Sequence, residues 1–150
     1  MLKHFPSAIF AMLFSAAIFA SNSIISIESS YTVTETADRF EKILSKKGLT
    51  IFARINHGEN ASNVNLELAP SEVVIFGNPK IGTPLMHCSK TVAIDLPQKA
   101  LFWQDEKGQV WLSYNNPEYL KERHSIKGCD KVIDKVTSVL GKLSKAATSK

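Results

Sequence analysis

The sequence predicts a single α+β domain, in which an antiparallel or mixed sheet carries helices packed on one face. The chain has 150 residues, of which 44% are hydrophobic, enough for one sizeable core. Helix-like and strand-like segments are mixed without strict alternation of strand and helix. Residues 99–104 and 109–114 both resemble strands, and the turn between them ends in glycine, so they are expected to form a hairpin.

Residues 1–23 have the pattern of an export signal rather than of a folded element. Lys3 precedes an apolar run of 13 residues, 8–20, which ends in the small residues Ala20, Ser21 and Ser23. The run is shorter than the roughly 20 apolar residues that a membrane-spanning helix needs. We therefore expect a secretory signal peptide cleaved after Ala20 or after Ser23, and we favour Ser23 because Ser21 then supplies the small residue two positions earlier. The expected product is an exported protein, periplasmic or secreted, without a membrane span after cleavage.

The remaining residues, 24–150, are expected to form the one domain, which begins with strand, helix and strand. Residues 31–33 favour a strand, and Thr34 or Thr36 can cap the helix that follows. Glycine just past a helix end readily adopts the left-handed conformation found there, so Gly48 ends this helix. Residues 49–56 alternate with period two, which indicates a half-buried strand.

The middle of the chain predicts a loop, a buried strand and a helix. Residues 57–69 are polar and are expected to form a loop leading into a short helix. The apolar, β-branched run 71–76 predicts a central strand. A helix is expected from Pro84, with Thr83 as its N-cap, until Pro97 stops it. A proline in the first turn loses no hydrogen bond.

Two helices are expected after the hairpin. Asn116 followed by Pro117 is a cap-then-proline signal for the start of one helix. The other runs over about residues 130–145, where apolar side chains recur at helical spacing and Asp130 suits the positive end of the helix dipole.

Several motifs give the chain a family resemblance. They are FGNPKIGTPLM at residues 76–86, IDLP at 94–97, KALFW at 99–103 and NPEYL at 116–120. With these motifs the chain resembles the domain-of-unknown-function family 302 (DUF302) over roughly residues 31–124. The resemblance implies a compact, often self-associated α+β domain with no settled biochemical activity. Asn56 departs from the family pattern, which favours Asp there.

The segment that joins the buried strand to the following helix is the candidate ligand site. Two glycines and a helix N-terminus can present backbone N–H groups to a phosphate, sulfate or carboxylate, and Lys80 can add positive charge. Asn78 and Thr83 can supply side-chain hydrogen bonds. The alternative interpretation is purely structural: Asn78 makes a turn and Thr83 caps the helix. The spacing matches neither a P-loop nor a dinucleotide fingerprint.

The cysteines and histidines support a competing hypothesis. Cys88 and Cys129 can form one disulfide in an oxidising compartment, closing a loop of about 40 residues. With His57, His87 and His124 they also include the ligand types for zinc or haem, but none has metal-ligand spacing, so no metal and no cofactor is expected. The alternative function is a periplasmic thiol-redox or metal- or haem-handling protein.

Charge and motif content favour a non-enzymatic binding module. Without Lys3 the chain has 17 basic and 14 acidic residues spread along it, which does not indicate nucleic-acid binding. No nucleophile motif of an established enzyme occurs, and Asp95 is expected to be structural. The leading hypothesis is an exported, soluble domain that binds a small anionic ligand or a partner protein. Trp111 is expected to project from the sheet at a homodimer seam.

Overall fold

The computed structural model of the chain describes residues 22–150, which form a five-stranded antiparallel sheet and five α-helices. The predicted signal peptide, apart from Asn22 and Ser23, lies outside the described residues. The strands are β1 Ile24–Ser29, β2 Thr50–Asn56, β3 Ser71–Gly77, β4 Gln98–Gln104 and β5 Val110–Asn115, in the spatial order β1-β5-β4-β3-β2. The helices are α1 Val33–Lys46, α2 His57–Ser62, α3 Pro79–Cys88, α4 Pro117–Arg123 and α5 Asp130–Thr148, with a 3₁₀ helix at Lys90–Ile94. The predicted α+β class is confirmed.

The main core lies between one face of the sheet and the helices α1 and α5. Phe40 of α1 is fully buried at its centre and meets Phe76 and Phe102 edge-on, with ring centroids 5.1 and 5.5 Å apart. Successive side chains of a strand point to opposite faces, so β3, β4 and β5 each contribute every second residue to this core. The fold is thereby anchored on a central aromatic cluster.

The first strand lies earlier than the sequence predicted. β1 occupies Ile24–Ser29 rather than 31–33 and pairs antiparallel with β5 at one edge of the sheet. Ile25 and Ile27 point into the core, so this strand has the period-two pattern of a half-buried strand. Past its end, the Ser30 N–H donates to the Thr148 carbonyl of α5 at 3.0 Å. This hydrogen bond therefore links the end of β1 to the C-terminal end of α5.

The predicted cap of α1 was also wrong by two to four residues. The N-cap is Thr32, whereas Thr34 and Thr36 lie inside the helix. Thr32 Oγ1 accepts from the Glu35 N–H at 3.2 Å, and a Glu35 carboxylate oxygen accepts from the Thr32 N–H at 3.0 Å. This reciprocal capping box satisfies two backbone donors at once, which is why it prevails over a lone threonine.

The helix expected from Pro84 begins five residues earlier. Its N-cap is Asn78 rather than Thr83, Pro79 occupies the first turn, and Pro84 lies inside the helix. Asn78-Pro79 carries the same cap-then-proline signal as Thr83-Pro84 and directly follows β3, so the earlier pair starts the helix. After Cys88 the chain forms the 3₁₀ helix instead of continuing as α-helix.

The remaining elements follow the sequence pattern with small changes. The β4–β5 hairpin is confirmed, and Gly108 adopts a φ of 81° in its turn. Asn116 caps α4 as predicted, and α5 extends three residues beyond 145. In the segment 57–69 the predicted order is reversed: α2, capped by Asn56, comes first and the loop follows.

A charged network links α1 to β2 and β3 at one end of the core. Arg54 donates to Glu72, to Asp38 and to Glu41, with N–O distances of 2.6, 2.5 and 3.1 Å. The Glu72 side chain is only 5% exposed. Burial disfavours the charged guanidinium, but hydrogen bonds to the Glu72 and Asp38 carboxylates outweigh it and raise the pKa of Arg54. Arg54 therefore compensates the charge of a buried carboxylate, whose other oxygen accepts from Thr34 Oγ1 at 2.7 Å.

Candidate functional site

A cavity of about 280 Å³ opens between α3, α5 and the adjoining ends of β2, β3 and β4. Its walls are almost entirely apolar. They include Phe52, Ile81, Met86, Leu96, Val136 and Val139. Polar side chains in the lining come from Asn78, Thr83, Gln98 and Lys135. Ligand sites in proteins are typically concave, mostly apolar and equipped with a few polar groups, which is the composition found here.

The cavity is the seam between two hydrophobic clusters. On one side, Phe76 and Leu140 belong to the main core under the sheet. On the other, Leu85 belongs to a second cluster that packs α3 and the 3₁₀ helix against α5. Only Val136 packs partly against both clusters among the described residues. The space between the clusters is therefore incompletely filled.

A disulfide closes the second cluster. Cys88 at the end of α3 is joined to Cys129 just before α5, with Cα atoms 6.4 Å apart. Cys129 is buried and Cys88 is half-buried. The bond therefore links the C-terminal end of α3 to the N-terminal end of α5, the two helices that form the cavity walls. The two cysteines that the sequence allows to pair thus have their sulfur atoms at disulfide distance.

The three residues of the predicted anion site occupy different positions relative to the cavity. Asn78 and Thr83 contribute to its lining, whereas Lys80 is exposed outside it. Asn78 Oδ1 accepts from the Lys80 N–H at 2.9 Å, and the Asn78 carbonyl accepts from the N–H groups of Ile81 and Gly82. These first-turn donors are therefore engaged within the protein. Anion binding by Asn78, Lys80 and Thr83 stays a prediction.

His124 lies at the centre of a polar cluster beside the disulfide. Its Nδ1 atom is 3.0 Å from Thr91 Oγ1, and its Nε2 atom is 2.5 Å from Asp95 Oδ2. The Arg123 guanidinium adds a contact of 3.5 Å to the same carboxylate oxygen. Ser89 Oγ donates to the His124 carbonyl at 2.9 Å. Both ring nitrogens are engaged, and together these bonds fasten the 3₁₀ helix to the end of α4.

This cluster resembles the hydroxyl–imidazole–carboxylate arrangement that activates nucleophiles in hydrolases. However, Thr91, Asp95 and His124 do not line the cavity. Sequence reasoning expected a structural Asp95 but missed its partner, because His124 lies 29 residues away and no local pattern links them. Within residues 22–150, no group of three or more His, Cys, Asp or Glu side chains is arranged to hold a metal ion.

The sheet face opposite α1 carries a second apolar surface. We call it the outer sheet face; it comprises Val73, Ile75, Leu101, Trp103 and Trp111, all half-buried. The two indoles are register partners and stack, with centroids 6.4 Å apart and planes at 26°. Solvated faces of antiparallel sheets are normally polar, so this face has the composition of an interface.

Sequence comparison finds curated relatives that are much longer than this chain. The proteins named "Fluoride-specific ion channel FluC 1" of Brucella suis biovar 1 (strain 1330) and Brucella abortus biovar 1 (strain 9-941) are both 41% identical to it over 105 residues. The match covers 70% of this chain but only 41% and 39% of those relatives. Within residues 22–150, no helix is long and apolar enough to cross a membrane.

Structural and family comparisons agree with each other. The crystal structure of an uncharacterized conserved DUF302 protein from Bacillus stearothermophilus superposes with a TM-score of 0.76. The similarity covers 85% of this chain and 99% of that one at 16% identity, which shows a shared fold. The family model described as "Domain of unknown function DUF302" matches residues 25–143, nearly the whole of the described fold. The chain therefore belongs to the DUF302 family.

Proposed function

We propose that this chain is an exported, non-enzymatic binding module that holds a small, largely apolar ligand in the cavity between α3 and α5. The single observation that carries the proposal is the apolar cavity of about 280 Å³ at the seam of the two clusters. Apolar surface that remains accessible in a folded protein gains free energy when a ligand removes it from water. The predicted anion-binding residues Asn78 and Thr83 then serve as polar groups in its lining, and Lys80 stands outside.

Binding of a neutral apolar probe tests the cavity directly. Titration calorimetry with 1-octanol is expected to give saturable binding to the full chain and a rise in melting temperature, because a ligand bound only to the folded state stabilises it. Val139→Trp fills the cavity and should abolish binding. Val64→Trp is the matched control, since Val64 is 63% exposed and outside the lining. Unchanged octanol affinity in Val139→Trp would show that the cavity is not the site.

Export is part of the proposal. The signal-like pattern of residues 1–23 and the Cys88–Cys129 disulfide support it, because disulfides persist in oxidising compartments. Mass spectrometry of protein recovered from the producing cell is expected to give the mass of a chain that begins at Ile24 with two fewer hydrogens. A chain that retains residue 1 and both free thiols would contradict export.

We also propose that two copies associate through the outer sheet face. This whole side of the sheet, five strands about 4.8 Å apart and about 20 Å long, presents roughly 500 Å², and the outer sheet face lies on its three central strands. A symmetric pair then buries about 1,000 Å², the lower limit for a stable protein interface. The half-buried indoles of Trp103 and Trp111 supply the aromatic anchors that such interfaces favour.

Sedimentation equilibrium tests the self-association. The wild-type chain is expected to be a dimer at micromolar concentration, and Leu101→Lys is expected to be a monomer with unchanged circular dichroism. Val64→Lys, at an exposed position in the loop after α2, should remain dimeric. A monomeric wild-type chain would exclude this interface.

A second candidate function is thiol-redox chemistry, favoured by the half-buried residue Cys88, which follows the exposed His87 in the sequence. An imidazolium near a thiolate lowers the thiol pKa and makes it reactive. Equilibration with glutathione buffers distinguishes the two functions: a redox protein exchanges its disulfide readily while folded. The buried Cys129 supports the structural role, for which exchange is expected only on unfolding.

Fluoride is the ligand suggested by the names of the relatives, and the apolar cavity argues against it as the occupant. A strongly hydrated anion needs hydrogen-bond donors to replace its water. Fluoride titration followed by ¹⁹F NMR is expected to leave the line width unchanged. Broadening of the fluoride resonance in the presence of the protein would instead indicate that the ligand is a small anion.

A further inference from the structure

Lys135 adds a positive charge to the otherwise apolar and uncharged lining of the cavity. It is the one charged residue among the lining residues that the structure describes, and no carboxylate side chain contributes to that lining. Across residues 22–150, Lys135 makes no ion pair with an acidic side chain. Lys135 as a whole is exposed and also contributes to the lining, so it lies at the solvent side of an apolar space. An unpaired cation beside an apolar cavity complements an amphipathic anion.

The size of the cavity limits the length of such a ligand. A water-sized or methylene-sized group occupies about 30 Å³, so 280 Å³ holds about nine of them. Its apolar lining consists mainly of aliphatic side chains together with the flexible thioether of Met86, which suit a flexible aliphatic chain. A single lysine balances a single negative charge, as a carboxylate carries, better than the −1.5 to −2 of a phosphate monoester.

From these observations we propose that the cavity binds a free medium-chain aliphatic carboxylate of about eight carbons, with Lys135 as the partner of its carboxylate. The inference rests on the proposed function, because it presupposes that the cavity is a ligand site. It adds a charge requirement that a purely apolar site would not have. Lys135 was not among the candidate residues recognised in the sequence, where it appears as one of several lysines on α5.

The test compares octanoate with 1-octanol in calorimetric titrations of the full chain. Octanoate is expected to bind at least fivefold more tightly than octanol at low salt, and added salt should reduce only the octanoate affinity. Lys135→Met, which keeps most of the aliphatic stem, should weaken octanoate five- to tenfold and leave octanol unchanged. Lys135→Arg restores the charge and should restore octanoate binding.

A control variant distinguishes the effect of the Lys135 charge from a general effect of replacing a lysine on α5. Lys131 lies one turn earlier on α5 and does not line the cavity, so Lys131→Met should leave both affinities unchanged. Equal affinities for octanoate and octanol, or equal weakening of both in Lys135→Met, would overturn the carboxylate proposal while the cavity remains a binding site. Tighter binding of 3-phenylpropionate than of octanoate would overturn the aliphatic class. Failure of both eight-carbon probes to bind would instead refute the proposed function itself.

Discussion

The indole Nε1 of Trp111 donates a hydrogen bond of 2.9 Å to Oδ2 of Asp105, closing the hairpin turn between β4 and β5. The other carboxylate oxygen accepts from the N–H groups of Lys107 and Gln109, also at 2.9 Å. The Trp111 bond, together with the two backbone bonds, lowers the pKa of Asp105 below its ordinary value of 3.8. One half-buried aspartate thus organises the turn and orients an indole of the outer sheet face.

Replacement of Asp105 should make the stability of the hairpin less sensitive to acid. A lowered folded-state pKa means that the stability is present above 3.8 and is lost as the pH falls through the folded value. Asp105→Asn is therefore expected to melt below the wild type at neutral pH, with the difference shrinking below pH 3.8. Melting curves followed by tryptophan fluorescence measure this, with Glu106→Gln as the control in the same turn. A difference that does not change with pH would contradict the assignment.

Removal of the disulfide should destabilise the fold. Cys88 and Cys129 are 41 residues apart in sequence, and the chain-entropy model gives about 4 kcal/mol for closing such a loop. The double variant Cys88→Ser, Cys129→Ser is expected to lose about that much free energy of unfolding in urea titrations. The reduced wild type should fall to the same value. If the double variant matched the oxidised wild type, the bond would contribute nothing.

Removal of the Arg54 charge should leave a buried carboxylate uncompensated. Glu72 is 4% exposed, so Arg54→Met is expected to lower the free energy of unfolding by about 3 kcal/mol. Adding Glu72→Met should recover most of the loss, because the cost lies in the unpaired charge. Lys42→Met, at an exposed position on α1, is the control and should change stability by less than about 0.5 kcal/mol. Additive losses in the double variant would contradict the pairing.

Truncation of an aromatic side chain should lower the free energy of unfolding more at the centre of the core than in the wall of the cavity. Phe40→Ala removes a fully buried ring that contacts Phe76 and Phe102, and is expected to cost about 3–5 kcal/mol. Phe52→Ala removes a ring that is 53% exposed and should cost far less. Urea unfolding of the two variants compares them directly. Equal losses would mean that Phe52 packs as a core residue.

Strong local patterns in the sequence predicted much of the fold. The buried strand at 71–76, the hairpin and the apolar stripe of α5 each depend on periodicity within one segment, and each is confirmed. The starts of α1 and α3 were misplaced because each had competing caps close together. The choice depended on contacts with Glu35 in α1 and on the end of β3 in α3.

The cavity itself could not be predicted from any one segment. Its walls come from α3, α5 and three strands that are distant in sequence, and it exists because two clusters fail to fill the seam between them. The sequence did point to Asn78 and Thr83, which line it, through the strand-to-helix motif. Lys135 and the Asp95–His124 pair carry no local signal, since only the packing brings them to their positions.

The bond between Ser30 and Thr148 has a consequence for synthesis of the protein. While the ribosome is still elongating the chain, β2, β3, β4 and β5 can begin to pair, but the contact that secures the β1 edge requires a residue made much later. The nascent polypeptide therefore cannot complete its native fold until residue 148 has left the exit tunnel.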